Sequence, residues 1–360
     1  MQELCKKTLK QKGLSIRELA SVIGKLVSSF PGAMYGPLYY RNLDQCKTQA
    51  VKNAKGNFDV ITELSDLARE ELHWWANNVT QSFNVVLHNE PQLTITTDAS
   101  HHGWGAHCDG TRTGGSWTSS EASYHINYLE LLAAFLGLKT FGSVKSNIHI
   151  RLRVDNTTAM NIINKMGSGH SDNCNSLVKQ MWELCISKQI WISAAHIPGS
   201  LNFVADFESR HIAKASEWML NGPELSKALQ ALEFKPDIDL FASRINHQFL
   251  KYVSYRPDPQ AIAIDAFSIT WSFYKFYAFP PFSVIGRMLS KISREKATGI
   301  CVLPAWPTQS WCPQAMSMLL QKPVYLKASK TLLHLPSHPQ EVQPLHQKLT
   351  LMVCHLSRNS

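Results

Sequence analysis

Two runs of alternating apolar and polar residues, each followed by an aspartate, constrain the fold of this chain most strongly. The first run covers residues 93–97 and leads to Asp98, and the second covers residues 148–154 and leads to Asp155. Alternation with a period of two is typical of a strand with one buried face. Between the runs, a stretch with helical spacing carries Glu130 among leucines. The sequence therefore predicts two strand ends and one helix that each carry a carboxylate.

The surrounding pattern predicts the order β-β-β-α-β-α-β, with a last helix after Asp206. The second and third strands are predicted to be joined by a tight turn at Asp109-Gly110. Strands and helices that alternate in this way give a mixed sheet with helices on its faces. Residues 91–215 are therefore predicted to be an α/β domain.

The flanking regions are predicted to form separate units. Residues 1–90 show helical spacing, and Ser15 with Glu18 has the spacing of a helix capping box. Residues 216–330 are predicted to be a second, smaller α/β domain. The stretch 331–360 is rich in His, Pro and Leu and is predicted to be a poorly ordered tail.

Charge and cysteine usage narrow the class of protein. A net charge of +9 favours a polyanionic partner such as nucleic acid. None of the eight cysteines forms a Cys-x-x-Cys pair, so neither zinc-finger spacing nor a disulfide framework is expected. No apolar run reaches the length of a membrane span. We therefore expect an intracellular protein, cytoplasmic or nuclear, that has reduced thiols and does not contact a membrane.

Four acidic residues in this order predict a metal site: Asp98, Glu130, Asp155 and Asp206. Alone, each is more typical of a turn, a helix cap or a solvated surface, but the joint pattern favours a nuclease-type site. Carboxylates that converge repel each other unless cations lie among them. Such a set can hold two cations about 4 Å apart, and oxygen ligands suit Mg²⁺ or Mn²⁺. His196 precedes Asp206 on a Pro-Gly loop and is predicted to transfer a proton.

These motifs resemble the ribonuclease H domain of retroelement reverse transcriptases, in particular those of DIRS-type (tyrosine-recombinase) retrotransposons. The matching segments are Thr97-Asp98-Ala99-Ser100, Gly103-Trp104-Gly105-Ala106, Leu129-Glu130-Leu131, Asp155-Asn156-Thr157, His196-Ile197-Pro198-Gly199 and Ala205-Asp206-Phe207-Glu208-Ser209-Arg210. The resemblance implies a ribonuclease H-like fold. It also implies cleavage of the RNA strand of an RNA–DNA hybrid with two Mg²⁺ ions. It assigns metal binding and catalysis to the four carboxylates, and catalysis also to His196.

Candidate contacts to nucleic acid lie beside these motifs. Asn156 and Asn202 match the pattern, and Arg151 and Arg153 lie on the basic side of the second alternating run. Lys139 and Lys145 are further candidates for phosphate contacts. Ordinary solvated surface charge remains an equally good interpretation of each basic residue. RNA would be distinguished from DNA by contacts to its 2′-hydroxyl groups.

The flanks resemble other parts of the same elements. Residues 14–82 are similar to the segment between polymerase and ribonuclease H. No Tyr-x-Asp-Asp motif is present, so no polymerase activity is expected from this chain, and a polymerase domain encoded upstream is a candidate partner.

Residues 234–318 resemble a domain that is distantly similar to adenine-N6 DNA methyltransferases. Asp239 and Asn246 stand where those enzymes hold S-adenosylmethionine. Phe279 stands where they have Asp or Asn before Pro-Pro, and a phenyl ring cannot accept a hydrogen bond. A degenerate domain that does not use S-adenosylmethionine is therefore favoured.

Three alternatives to an active hybrid nuclease stay open from sequence. The chain could be a catalytically idle remnant that binds nucleic acid, or a methyltransferase acting through residues 234–318. A DNA integrase on the same fold is a weaker rival, because such enzymes normally use three acidic residues and lack the Glu130 and His196 features.

Overall fold

A computed structural model of the chain describes residues 1–169, 171–212 and 217–357. The predicted boundary between residues 215 and 216 and the last three residues of the predicted tail lie outside these ranges. The chain is a mixed α/β protein that divides into two compact units, Met1–Thr94 with Lys145–His196 and Ile95–Val144 with Ile197–Ser360. Within the described ranges, no helix is both long enough and apolar enough to cross a bilayer.

The first part of the chain is helical, as predicted. Its elements are α1 (Gln2–Lys10), β1 (Leu14–Ser15), α2 (Ile16–Ser28), α3 (Arg41–Asn53), β2 (Ile61–Thr62) and α4 (Asp66–Asn78). The predicted capping box is present, because the Ser15 side chain accepts from Glu18 N while the Glu18 carboxylate accepts from Ser15 N at 2.8 Å. Trp75 is fully buried in the core of this region and donates its Nε1 hydrogen to Tyr39 O at 2.8 Å.

A five-stranded mixed sheet follows. Its elements are β3 (Leu93–Ala99), β4 (Gly103–Cys108), β5 (Thr111–Ser116), α5 (Ile126–Gly142), β6 (His149–Val154), α6 (Thr157–Asn164), α7 (Asp172–Ser187), β7 (Trp191–His196) and α8 (Phe203–Arg210). The strand order is β5-β4-β3-β6-β7. Strands β3, β4 and β5 are antiparallel, whereas β6 and β7 are parallel. The predicted order of elements is confirmed.

Glycines let α8 lie directly on this sheet. A Cβ at Gly105 would lie 2.1 Å from Ala205 O, so a larger residue in β4 would displace the helix. The neighbouring residue Ala106 faces α5, because a Cβ built at Gly137 lies 3.3 Å from its methyl group. Successive residues of a strand point to opposite faces. Helices α5 and α8 therefore cover opposite faces of β4.

A second five-stranded mixed sheet lies in the last part of the chain. The elements there are β8 (Met219–Leu220), α9 (Gly222–Ala231), β9 (Ile238–Asp239), β10 (Val253–Ser254), β11 (Ala263–Ile264), β12 (Phe276–Ala278), α10 (Ile285–Glu295), β13 (Thr298–Pro304), α11 (Cys312–Ser317), β14 (Val324–Leu326), β15 (Leu333–His334) and β16 (Leu351–Ser357). The strand order is β14-β16-β13-β12-β9. Strands β9, β12 and β13 are parallel, and β16 runs antiparallel to both of its neighbours.

The structure differs from the expectation of a poorly ordered tail. Strand β16 lies inside the second sheet and pairs with all seven residues of β13. Six of its seven residues are buried. The run Leu351-Met352-Val353-Cys354 is apolar on both faces, as is usual for an inner strand. All the Pro residues of the stretch 331–360, and three of its four His residues, precede this run.

Candidate metal centre

Three of the four predicted carboxylates converge. Asp98 near the end of β3, Glu130 in α5 and Asp155 directly after β6 each offer an oxygen, and these oxygens lie within 4.8 Å of one another. Asp98 and Glu130 are 3% and 4% exposed, and Asp155 is half-buried. Carboxylates that are this close together and shielded from water repel one another strongly unless a cation lies among them.

Two neutral side chains orient Asp98. Ser209 Oγ donates to Asp98 Oδ2 at 2.7 Å, and Asn202 Nδ2 donates to Asp98 Oδ1 at 3.2 Å. Asn202 Nδ2 also lies 3.1 Å from Thr97 O, which ties it to β3. With both of its oxygens accepting hydrogen bonds, the carboxylate is held in one rotamer. Such partners of a metal ligand fix its direction and its basicity.

The sequence interpretation missed the role of Ser209. This residue follows Asp206 by three positions, which on a helix places the two residues on neighbouring faces. Its hydroxyl also lies 2.9 Å from Asp206 O. Ser209 is fully buried. The available signal was a small polar residue one helical turn after Asp206.

Asp206 does not belong to the three-residue group. Its Oδ1 accepts from Arg210 Nε at 2.6 Å, and both side chains are partly exposed. Exposed pairs of this kind contribute about 0–1 kcal/mol, so they break and form easily. The role of Asp206 as a fourth metal ligand stays a prediction.

His196 is the last residue of β7 and is exposed to solvent. In the parallel register it lies beside Val154, the residue before Asp155. The carboxyl ends of parallel neighbours meet at one sheet edge. His196 is therefore at the same edge as one carboxylate of the group, and its catalytic role stays a prediction.

The two asparagines predicted to contact nucleic acid have structural partners. Asn156 is the N-cap of α6, with Oδ1 accepting from Ala159 N at 2.9 Å. Asn202 is 1% exposed, and its side chain supports Asp98. Asn202 is therefore directed inward, and its contact with nucleic acid stays a prediction.

The basic candidates differ in accessibility. Arg153 is exposed on β6 and Arg151 is half-buried, while Lys145 is exposed before the strand. The Lys139 ammonium lies 4.2 Å from the centre of the Phe135 ring, and burial lowers its pKa. Arg153 and Lys145 are therefore the more accessible candidates for phosphate contacts.

The side chains of the predicted S-adenosylmethionine site make bonds within their own loops. Asp239 accepts from the backbone amides of Phe241 at 3.2 Å and Gln248 at 3.1 Å. Asn246 Oδ1 accepts from Ser243 N at 2.7 Å and Ser243 Oγ at 3.0 Å. These bonds stabilise the loop after β9. Nothing in this geometry shows a methyl-donor site.

The donor set of the three-carboxylate group fits a hard divalent cation. All three ligands are oxygen atoms, which Mg²⁺ and Mn²⁺ prefer, and the group contains neither His nor Cys. The ligands come from β3, α5 and the end of β6, elements whose positions are fixed by sheet pairing and helix packing. The residues of this group therefore fit such a cation.

Comparison with known proteins found sequence similarity to viral polyproteins. No family model matches the chain. It is 31% identical over 140 residues to the enzymatic polyprotein of Cauliflower mosaic virus (strain Strasbourg), which covers 35% of this chain and 20% of the polyprotein. The polyprotein of strain D/H matches with the same identity and coverage. The chain thus spans about a fifth of the length of these curated relatives.

Partial similarity to several solved structures was also found. Ribonuclease H1 from the archaeon Halobacterium salinarum NRC-1 has 16% identity and a TM-score of 0.28, and the match covers 32% of this chain and 92% of that protein. A foamy viral protease-reverse transcriptase in complex with RNA/DNA hybrid has 11% identity and a TM-score of 0.21, covering 54% of this chain and 26% of that one. Over about a third of its length, the chain therefore shares sequence with a viral polyprotein.

Proposed function

We propose that this chain is a metal-dependent ribonuclease that cleaves the RNA strand of RNA–DNA hybrids. The observation that carries the proposal is the convergence of Asp98, Glu130 and Asp155 within 4.8 Å. The motif resemblance to retroelement ribonuclease H domains and the sequence similarity to a viral enzymatic polyprotein support the same reaction class. The net charge of +9 supports a polyanionic substrate.

Different residues would bind the metal and orient its ligands. Asp98, Glu130 and Asp155 would hold Mg²⁺ or Mn²⁺, with Asp206 as the proposed fourth ligand. When bound, such ions activate a water and stabilise the leaving oxygen of a phosphodiester. Ser209 and Asn202 keep the Asp98 carboxylate in one orientation.

His196 is the proposed group that moves a proton during turnover. It is exposed at the sheet edge that carries Asp155, so it can exchange protons with water. Imidazole is the side chain that enzymes use most often as a general acid or base.

The proposal is tested by single substitutions that keep side-chain size. We expect Asp98→Asn and Asp155→Asn to abolish cleavage of a labelled RNA–DNA hybrid in Mg²⁺. Asp109→Asn is the matched control, because Asp109 is an exposed carboxylate in the β4–β5 turn and the substitution changes net charge equally. Cleavage that persists in both Asp98→Asn and Asp155→Asn would remove the assigned site.

One observation favours a second candidate, a nucleic-acid-binding protein without turnover. Asp206, the predicted fourth ligand, is paired with Arg210 outside the three-residue group. This candidate predicts that the unmodified chain binds hybrid, with affinity that falls steeply as salt rises, but leaves the RNA strand intact. Gel-shift titration and a cleavage assay on the same sample distinguish the two.

A further inference from the structure

A buried glutamate on α8 is held by arginines from two different parts of the chain. Glu208 is 3% exposed, and its Oε2 accepts from Arg256 Nη1 at 2.5 Å. The Nε of Arg112, on β5, lies 3.3 Å from the other oxygen, Oε1. That oxygen has no hydrogen-bond partner among the described residues. Since a buried carboxylate is costly without a paired cation, both arginines stabilise this position of α8, and Arg256 makes the shorter contact and the hydrogen bond.

On α8, Glu208 lies next to residues that border the proposed metal site. The next residue, Ser209, donates to Asp98, and Asp206 lies two positions earlier. Helix α8 is closely seated, because a Cβ at Gly114 would lie 3.0 Å from Glu208 O. A small shift of α8 would therefore move the Ser209 hydroxyl away from the Asp98 carboxylate.

The segment that carries Arg256 is itself fixed. Ser254 Oγ donates to the Arg256 carbonyl, and Thr113 Oγ1 on β5 donates to the Pro257 carbonyl. These bonds hold the backbone carbonyls of Arg256 and of the next residue, Pro257. The guanidinium therefore reaches Glu208 from an anchored loop, so little entropy is lost in making the ion pair.

We infer that residues 254–257 position the nuclease site from outside it. Arg256 acts as a positioning residue: it holds Glu208, and through α8 it keeps Ser209 in contact with Asp98. The inference rests on the proposed function, because the group it positions is the proposed metal site. It gives the region after residue 217 a role that needs neither methyl transfer nor a ligand of its own.

The test measures the Mn²⁺ affinity of the full chain by calorimetry. Cleavage of an RNA–DNA hybrid is measured on the same samples. We expect Arg256→Met to weaken Mn²⁺ binding about tenfold, the lower end of the effect of losing a partner of a metal ligand. Arg244→Met is the matched control. Arg244 makes two bonds to Glu121, at 2.7 and 2.9 Å, and Glu121 lies outside α8. We expect this variant to unfold at a lower temperature with unchanged Mn²⁺ affinity.

A double-mutant cycle with Glu208→Gln tests the route of the effect. If Arg256 acts through Glu208, Arg256→Met should change Mn²⁺ affinity little when Glu208→Gln is already present. An equal loss in both backgrounds, or equal affinities for Arg256→Met and Arg244→Met, would overturn the inference. Should Arg256→Met fail to fold, Glu208→Gln alone decides: unchanged Mn²⁺ affinity refutes the inference, and a weakened one supports it. Failure of the proposed function shows differently, as absence of Mn²⁺ binding by the unmodified chain.

Discussion

Asp98 and Asp239 occupy similar places in the two large sheets and have opposite surroundings. Each lies at or beside the last residue of its strand, and they are 3% and 2% exposed. Asp98 accepts from side chains of Asn202 and Ser209 and lies in a group with two more carboxylates. Asp239 accepts from two backbone amides of its own loop, and within the described part of the chain it joins no such group.

The comparison shows how surroundings decide the role of a buried strand-end carboxylate. Around Asp98, neighbouring carboxylates repel one another unless a cation or a proton lies among them. Around Asp239, burial outweighs the two amide hydrogen bonds and raises the pKa to about 7. The first arrangement suits a ligand site, and the second suits a loop anchor that can be neutral.

The largest expected difference between substitutions of Asp98 and Asp239 is in how much divalent cations stabilise the fold. Mn²⁺ at about 100 times its dissociation constant should stabilise the unmodified chain by about 2.7 kcal/mol. Asp98→Asn should abolish the resulting rise in unfolding temperature, whereas Asp239→Asn should retain it. Thermal unfolding with and without Mn²⁺ measures this, and an equal rise in both variants would erase the distinction between the two aspartates.

A smaller effect is expected from Ser209→Ala, which removes the 2.7 Å hydrogen bond to Asp98. Loss of such a partner typically weakens metal affinity or activity by about 10–100-fold. Ser290→Ala is the control, because Ser290 Oγ donates to Gly286 O at 2.9 Å within α10, away from Asp98 in the sequence. Mn²⁺ titration that gives the same affinity for both variants would mean that Ser209 does not orient the ligand.

The smallest expected effect is the contribution of Asp239 to the pH dependence of folding stability. Its folded-state pKa of about 7 exceeds the ordinary value of 3.8. The folded chain therefore keeps a proton that the unfolded chain releases. The stability from this group is complete below pH 3.8 and is lost as pH rises towards 7.

Asp239→Asn should therefore flatten the decline in unfolding temperature between pH 5 and pH 8, measured without divalent cations. Some decline should remain, because burial also raises the pKa values of Glu71 and Glu217. Parallel curves for the variant and the unmodified chain would show that Asp239 is ionised throughout.

The first sheet was more predictable from sequence than the second because its signals are local. Alternating runs, the Asp109-Gly110 turn and helical spacing each follow from neighbouring residues, and both turn residues do have positive φ, 46° and 77°. Three of the four acids converge where the order of elements predicted. The contacts of Glu208 and Ser209 join residues 48 and 111 positions away, so no local pattern could reveal them. The sequence also misplaced β16 in a poorly ordered tail, because its pairing with β13 and β14 depends on the complete sheet and leaves no local pattern.

The place of β16 also has a consequence for the order of folding. Because it lies between β13 and β14, residues 351–357 must leave the ribosome before either neighbour gains its partner on that side. Until then, β13 has an open, apolar edge to which other chains can add a strand. Nascent chains should thus be most prone to aggregate in the interval after β14 emerges and before β16 does.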